Sequence, residues 1–261
     1  MNKSLSYALF WLLATPFAME AQELLDASKY ATVLTIHLDS KGQVDYKALK
    51  EDRAPLDQFL EGIDKLDKKI YEVWTPHEKI AFWINAYNSR TLQVIIDHYP
   101  MQPGLLPSLR FPKNSIRQIP GVWDELRFPV MGQDKTLGEI EHQILRKEFS
   151  EPRIHMALVC AAKGCPPLRN EPYSGAKLSQ QLDDQTRRFV SNPQKFRIDQ
   201  ANGTVYLSPI FKWFREDFEA SYGTVINFIQ RYLTETDRQF LIAKELDLKY
   251  LDYDWSLNEQ E

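Results

Sequence analysis

The amino-acid sequence predicts an α+β fold, with a single domain of several helices packed on a small, mostly antiparallel sheet. Stretches with helical hydrophobic spacing recur along the 261 residues, and short β-like runs lie between them. The two kinds of element do not alternate in the regular order that a parallel βαβ sheet requires. One run contains Asn-Gly, a strong short-range signal for an antiparallel hairpin.

The composition narrows the class of protein. Hydrophobic residues make up 43% of the chain and charged residues 26%, as in ordinary soluble globular proteins. The formal net charge of -4 gives no electrostatic reason to expect nucleic acid or an anionic membrane as a partner. We therefore expect a small-molecule or peptide ligand of unknown identity.

The N-terminus has the three-part layout of a secretory signal. Lys3 precedes an apolar run from Tyr7 to Leu13, and small residues follow at Ala14, Ala18 and Ala21. The apolar run is too short to span a bilayer comfortably, so cleavage is expected after Ala18 or Ala21. The alternative is an amphipathic N-terminal helix.

These features divide the chain into three parts. We predict a signal peptide over residues 1–21, an N-terminal extension over 22–43 and one domain over 44–258. The mature protein is then exported, either periplasmic or secreted, and has no stable membrane span after signal removal.

Helices are the first elements expected in the domain. Residues 45–67 carry apolar side chains at close to helical spacing. The strongest helix follows, with Thr75 as N-cap, Pro76 at the first helical position and Glu78 completing a capping box. Pro100 ends it.

The middle of the chain mixes loops, short strands and a helix. Residues 101–135 are rich in Pro and Gly and contain two β-like runs, near 116–119 and 125–130. A second capping box, Thr136 with Glu139, predicts a helix that continues to about Phe149.

The remaining elements follow in order. The apolar run "IHMALVC", residues 154–160, predicts a buried strand. We then predict an amphipathic helix over 177–190 and a hairpin around Asn-Gly over 195–208. Three further helices over 209–223, 224–233 and 236–246 and an extended tail over 248–258 complete the chain.

One stretch, "RIHMALVCAAKGCPPLR", contains both cysteines and a histidine. In an oxidising compartment, two cysteines are first expected to pair with each other. The Cys160–Cys165 loop is short, so a disulfide there would stabilise the fold by on the order of 2 kcal/mol. Gly164 and the neighbouring prolines supply the bend.

The second hypothesis for this stretch is a nucleophilic cysteine. A thiolate requires a base, and the base requires an orienting partner. His155 could supply the imidazole, with Glu141 as first and Glu139 as second choice for the carboxylate behind it. Cys165 is favoured over Cys160, because an odd separation from His155 would place Cys160 on the opposite face of a regular strand.

A metal site is the third hypothesis. His142, His155 and the two cysteines are ligand types, but Cys-x4-Cys is wider than the usual zinc knuckle and no second Cys/His pair accompanies it. We therefore predict no metal and no cofactor. The remaining hypothesis is structural: the two cysteines are unlinked buried thiols beside a core histidine.

Other polar residues are candidates for substrate binding. Asn85, Tyr87 and Asn88 lie on the strongest helix among apolar residues, where they would line a site or form a buried hydrogen-bond network. Arg153 could bind a substrate carboxylate through two hydrogen bonds or take part in a structural ion pair. Asp217, within "WFREDF", is interpreted as a structural polar residue among aromatic ones.

Four segments together resemble bacterial members of the DUF547 family, a domain of unknown function. They are residues 81–100, 136–173, 207–218 and 253–258. The resemblance extends from about Val44 to Asn258. It implies an exported or envelope-associated globular protein but supplies no substrate and no established catalytic residue. A papain-like or transglutaminase-like thiol fold is an analogy that does not by itself establish chemistry.

Two functions of different classes follow. The first is a thiol-dependent hydrolase or acyl-transfer enzyme acting on amide or peptide bonds. Cys165 would attack the carbonyl carbon, His155 would shuttle the proton and Glu141 would orient the imidazole. Asn85 or a backbone N–H near Gly164 would stabilise the oxyanion.

The alternative is a non-catalytic envelope binding or scaffold module. In that hypothesis the Cys160–Cys165 disulfide fixes the rim of a groove lined by Trp83, Tyr87 and Asn88. The sequence leaves open which of the two functions applies.

Overall fold

The computed structural model describes residues 25–103, 107–243 and 246–261. The predicted signal peptide therefore lies outside the described residues. The α-helices are α1 (Ser28–His37), α2 (Tyr46–Glu51), α3 (Ala54–Lys65), α4 (Lys68–Glu72), α5 (Pro76–His98), α6 (Arg146–Glu148), α7 (Leu178–Val190), α8 (Ile210–Trp213), α9 (Arg215–Tyr222), α10 (Val225–Ile229) and α11 (Glu235–Ala243). The strands are β1 (Phe128–Val130), β2 (Gln133–Lys135), β3 (Phe196–Asp199), β4 (Thr204–Leu207) and β5 (Asp247–Tyr250).

The predicted α+β class is confirmed, with the strands in two small sheets. β1 pairs with β2 in an antiparallel hairpin. β4 lies between β3, which is antiparallel to it, and β5, which is parallel to it. The β3–β4 turn contains Asn202 and Gly203, and Gly203 has a positive φ of 66°, as the predicted hairpin requires. The sheets are thus mostly antiparallel.

The long helix α5 is the centre of the larger hydrophobic core. Its predicted capping box is present: the Thr75 hydroxyl accepts from the Glu78 N–H, and the Glu78 carboxylate accepts from the Thr75 N–H. Every residue from Ile80 to Leu92 is buried. A helix buried on all sides has neighbours around its whole circumference, and α2, α3 and α7 are among those that contact it.

The predicted strand over 154–160 is wrong. Pro152–Met156 forms a 3-10 helix, which begins after Glu151 because the Glu151 side chain accepts from the Arg153 N–H. The segment is apolar because it packs against α7 and α9, and short buried helices and strands share that composition. The run near 116–119 is likewise a 3-10 helix, Ile116–Gln118, capped by the Ser115 side chain.

A second hydrophobic cluster, rich in phenylalanine, surrounds β3, β4, α8, α9 and α10. Its fully buried rings include Phe189, Phe211, Phe218 and Phe228. Tyr253 packs against this cluster and also against the larger one around α5. The C-terminal segment therefore joins the two clusters. None of the described helices combines the length and the apolar character needed to cross a membrane.

Candidate active site

A pocket of about 180 Å³ contains both cysteines and His155. Its walls are largely aromatic, formed by Tyr87, Trp123, Trp213, Phe214, Tyr253 and Trp255. Its ionisable side chains other than cysteine and tyrosine are Arg117, Glu141, His142 and His155. Apolar walls with a few converging polar groups are typical of small-molecule sites.

His155 is held in a single orientation. Its ring stacks on Phe214, with ring centroids 3.8 Å apart, and its Nε2 lies 2.7 Å from Asp217 Oδ2. Asp217 also accepts two hydrogen bonds from Arg146, at 2.6 Å from Nε and 2.9 Å from Nη2. Nδ1 of His155 is buried and has no hydrogen-bond partner among the residues that the structure describes.

The charge state of this group follows from its surroundings. Burial lowers the pKa of His155 despite the neighbouring carboxylates. Burial tends to raise the pKa of Asp217, but hydrogen bonds from His155 and Arg146 bring it well below its usual value. Since burial lowers its pKa below the ordinary histidine value, the imidazole is uncharged at neutral pH. An ionised carboxylate only accepts, so Nε2 carries the proton and Nδ1 the lone pair.

The two cysteines form a disulfide, with Cα atoms 6.3 Å apart. The Cys165 sulfur accepts from the Cys160 backbone N–H at 3.0 Å. The Tyr253 hydroxyl lies 3.1 Å from the Cys165 sulfur and 3.4 Å from the Cys160 sulfur. The bend is close to Tyr253, since a Cβ on Gly164 would fall 2.7 Å from the Tyr253 ring.

The disulfide loop is attached to the C-terminal segment by backbone hydrogen bonds. The Lys163 N–H donates to Ser256 and the Gly164 N–H to Asp254, both at 2.7 Å. Within the loop, Ala161 has a positive φ of 56°, a conformation that costs energy for a residue with a side chain. The loop is therefore held in a fixed and locally strained shape beside the pocket.

Arg117 provides a positive charge on the pocket wall. Its guanidinium lies 4.4 Å from the Phe111 ring centroid, 5.4 Å from Trp123 and 5.1 Å from Trp255. Burial, with a smaller effect of Arg110, lowers the pKa of Arg117. In the described part of the chain, no carboxylate is within ion-pair distance of it. Aromatic rings thus position a cation that has no acidic partner.

A π-helix positions the acidic side of the pocket. The predicted capping box is present, because Glu139 Oε2 accepts from the Thr136 N–H at 2.8 Å and Thr136 Oγ1 accepts from the Glu139 N–H at 3.0 Å. The helix is then wound as a π-helix over Glu139–Leu145. This winding is frequent at functional sites. Here the pKa of the Tyr87 hydroxyl is raised, first by its burial and second by the charge of the buried Glu141 carboxylate.

The pocket collects most of the residues predicted from the sequence. They are Cys160, Cys165, His155, Glu141 and Tyr87. The carboxylate that bonds to His155, however, is Asp217 rather than Glu141. Its signal in the sequence is an acidic residue inside the aromatic run "WFREDF", a pattern that equally fits a structural role. Arg117 was not predicted, because it belongs to no local motif. Tyr253 begins the segment 253–258 that resembles the family, but nothing in that segment indicates a contact with the cysteines.

Asn85 and Asn88 bind backbone instead of lining this pocket. The Asn88 amide donates to Ala157 O and accepts from Val159 N, each at 2.9 Å. Asn85 does the same with Tyr173, at 2.8 and 2.9 Å. These are the buried hydrogen bonds predicted as the alternative to a binding site. They fix the segment that carries His155 and the cysteines onto α5.

The side chains of Arg153 and Trp83 also bind other residues instead of lining this pocket. Arg153 pairs with Glu151 at 2.5 Å and with Asp183 at 2.9 Å. Trp83 is buried, and its indole N–H donates to the Tyr71 hydroxyl at 2.9 Å. Of the groove proposed for the binding module, only Tyr87 faces the pocket. Among the described residues, no group of three or more His, Cys, Asp or Glu is suited to a metal ion.

Acidification is expected to destabilise the protein partly through His155. Its pKa is lowered in the folded state, whereas an unfolded histidine titrates near about 6.5. Between the two values only the unfolded chain binds the proton, so stability is complete above about pH 6.5 and falls as the pH drops. The lowered pKa of Asp217 acts in a separate window, since its contribution is lost only below about pH 4.

Urea unfolding measured between about pH 7.5 and 5 tests this contribution of His155. The slope of the free energy of unfolding against pH is expected to differ between wild type and His155→Gln by up to about 1.4 kcal/mol per pH unit. His98→Gln, at an exposed histidine, is the control and should keep the wild-type slope. His37 is also buried with a lowered pKa, so some slope remains in the His155 variant. Equal slopes for wild type and His155→Gln would contradict the assignment of a neutral imidazole.

Part of the chain matches a known family. The model of the family described as "Protein of unknown function, DUF547" matches residues 71–190. No curated protein and no solved structure matches the chain. The matched range includes α5, His155 and both cysteines, whereas Asp217 and Tyr253 lie beyond it.

Proposed function

Since residues 71–190 make this chain a DUF547 family protein, and that family carries no assigned activity, we propose a function from the pocket itself. The protein is a thiol-dependent hydrolase or acyl transferase that acts on amide or peptide bonds after the Cys160–Cys165 disulfide is reduced. The observation that carries the proposal is the neutral His155, bonded to Asp217 and with a free Nδ1, in the pocket that contains both sulfurs.

This arrangement has the parts of a catalytic triad. A nucleophile needs a base, and the base needs a third group that fixes its tautomer. Asp217 supplies that third group, and Arg146 keeps it ionised through two hydrogen bonds. The unprotonated Nδ1 is then the atom that would accept the thiol proton.

Reduction is the step that produces the nucleophile. A dithiol reductant transfers two electrons and two protons to the disulfide; the S–S bond breaks, two thiols form, and the reductant becomes a disulfide. The paired sulfurs cannot act as thiolates. If the chain is exported, as its first 21 residues predict, an oxidising compartment would favour this inactive form.

Cys165 is the better nucleophile of the two. Its sulfur accepts from the Cys160 N–H at 3.0 Å and lies 3.1 Å from the Tyr253 hydroxyl, and both donors would stabilise a thiolate. The Cys160 sulfur has only the longer contact to Tyr253. Breaking the disulfide frees the Cys165 side chain to rotate toward His155, with which it makes no hydrogen bond in the oxidised state.

The reaction then proceeds in two steps. The Cys165 thiolate attacks the carbonyl carbon, a C–S bond forms, the C–N bond breaks, and the proton held by His155 passes to the leaving amine. In the second step, water loses a proton to His155 and attacks the thioester, so that a C–O bond forms and the C–S bond breaks. An acceptor amine in place of water gives acyl transfer.

Arg117 and the aromatic walls restrict the substrate. A guanidinium without an acidic partner suits a carboxylate, and the rings around it suit an apolar side chain. We therefore expect short acyl compounds or peptides that present a free carboxylate near the scissile bond.

The alternative function is a non-catalytic binding module. It is favoured by one observation: in this structure the sulfurs bond to each other, and no hydrogen bond joins His155 to either of them. In that case the disulfide holds the rim of the aromatic pocket and the ligand leaves unchanged.

Single-cysteine variants distinguish the two functions. Wild type should hydrolyse peptide anilides or thioesters with a free carboxylate only after treatment with dithiothreitol. Cys160→Ser should be active without reductant, because Cys165 has lost its partner, and Cys165→Ser should be inactive in both conditions. Iodoacetamide labelling followed by mass spectrometry should show Cys165 alkylated well below about pH 8.5, and more slowly in His155→Ala.

The matched serine variants also serve as each other's control for loss of the disulfide. Turnover that persists in Cys165→Ser would contradict the proposed nucleophile. Ligand binding that is equal in all variants, with no turnover under reducing conditions, would support the binding module.

A further inference from the structure

A second cavity, of about 340 Å³, adjoins the disulfide. Cys165 and Pro166 line both this cavity and the pocket described above. Its charged lining residues are all cationic, namely Lys41, Lys163, Arg188 and Lys195. No Asp or Glu is among the residues that line it. This cavity therefore differs from the first pocket, in which cationic and acidic groups are mixed.

Lys195 is the most unusual of the four cations. It is only 7% exposed, and its ammonium donates to the backbone carbonyl of Lys163. Burial lowers the pKa of Lys195 to about 8, and Asp254 is the charge that raises it. No carboxylate in the described ranges is close enough to form an ion pair with it. Burying a cation without a counter-charge is costly.

Little negative charge offsets the neighbouring cations Arg188 and Lys163. Within the described ranges, the Arg188 guanidinium donates to neutral oxygens only, Gln185 Oε1 at 3.4 Å and Ser40 O at 3.3 Å. Lys163 forms an ion pair, at 4.0 Å, with Glu261, whose side chain is 92% exposed. Such a long, solvated pair contributes little. The positive charges of Lys195, Arg188 and Lys163 thus line one open cavity.

We propose that this cavity is a binding site for a multivalent oxyanion of the phosphate type, such as the diphosphate or phosphoryl group of a small metabolite. Two or more negative charges would offset Lys195 and Arg188 together. The planar guanidinium of Arg188 suits two oxygens of a phosphate, and amide side chains of Asn192 and Gln194 add donors. The cavity has room for more than a single phosphate ion. This site does not depend on the proposed catalytic activity.

Calorimetric titration of the full chain at low salt tests the proposal, with inorganic pyrophosphate, inorganic phosphate and acetate as probes. Pyrophosphate is expected to bind at least about tenfold more tightly than acetate, because it engages several cations. Lys195→Met and Arg188→Met should each weaken pyrophosphate binding by about tenfold or more. Lys47→Met removes the same charge from an exposed position on α2 and should leave the affinity unchanged.

Proton uptake gives a second readout. Near pH 8 the ammonium of Lys195 is only partly protonated, so a bound anion should draw a proton onto it. The number of protons taken up per bound pyrophosphate, obtained from the enthalpies measured in buffers of different ionisation enthalpy, should then be greater for wild type than for Lys195→Met. If Lys195→Met does not fold, Arg188→Met carries the test. No saturable binding of pyrophosphate, or an equal loss of affinity in Lys47→Met, would overturn the proposal.

Discussion

Asp217→Asn is expected to lower reductant-dependent turnover by about 10²–10⁴-fold, with the fold retained. Asp217 Oδ2 accepts from both His155 Nε2 and Arg146 Nε, and Oδ1 accepts from Arg146 Nη2. An asparagine replaces one of these acceptors with an NH₂ group. Turned toward Arg146 alone, the NH₂ group meets another donor. Turned toward His155, it donates to Nε2 and moves the imidazole proton to Nδ1, the atom that must accept the thiol proton.

The tautomer itself is measurable and does not depend on knowing the substrate. In wild type, ¹⁵N spectra should show His155 protonated at Nε2 and unprotonated at Nδ1; in Asp217→Asn the populations should shift toward Nδ1–H. Glu216→Gln, at the neighbouring exposed carboxylate, is the control for loss of one negative charge. A variant with full turnover and a shifted tautomer would remove His155 from the reaction. An unshifted tautomer with full turnover would remove Asp217.

Asp64→Ala is expected to lower the free energy of unfolding by about 3–5 kcal/mol, since it leaves a buried charge without its partner. Arg90, at the middle of α5, is 2% exposed. It pairs with Asp64 on α3 and donates to Pro129 O on β1 at 2.7 Å. Burial lowers the pKa of Arg90 and raises that of Asp64, so desolvation outweighs the attraction for both groups. The intact pair therefore contributes little net stability, whereas removing one of its two members is strongly destabilising.

An exposed ion pair of α3, the helix that carries Asp64, provides a control. Asp57 pairs with Arg53 at 2.8 Å, but both side chains are more than a third exposed, so Asp57→Ala should cost no more than about 1 kcal/mol. The double variant Asp64→Ala with Arg90→Leu should recover part of the stability lost in Asp64→Ala, because it removes the unpaired charge. Urea unfolding of the four proteins measures these differences. Equal losses for Asp57→Ala and Asp64→Ala would show that burial of Arg90 is not what matters.

The elements that the sequence predicted well have signals within a few residues. The capping boxes at Thr75 and Thr136 and the Asn-Gly turn of the β3–β4 hairpin depend only on neighbours along the chain. The prediction for the segment 154–160 was wrong for the opposite reason. An apolar run indicates that it is buried, and burial by helices or by a sheet leaves the same composition.

The candidate site divides in the same way. Cys160, Cys165 and His155 lie within one short stretch of the sequence, so the sequence alone indicates that they are close in space. Asn85 and Asn88 are unusual on an apolar helix, and the sequence indicates that much as well. Which way their amides point was decided by the backbone of another segment, at Tyr173 and at Ala157 to Val159.

The sequence by itself determined the α+β class, the central helix and the stretch on which the chemistry is concentrated. Only the tertiary structure decided the partners. Asp217 is 62 residues from His155 along the chain, and Tyr253 is 88 residues from Cys165. Hydrogen-bond geometry over such separations follows from how the two hydrophobic clusters pack, and no spacing rule within one helix or strand encodes that packing.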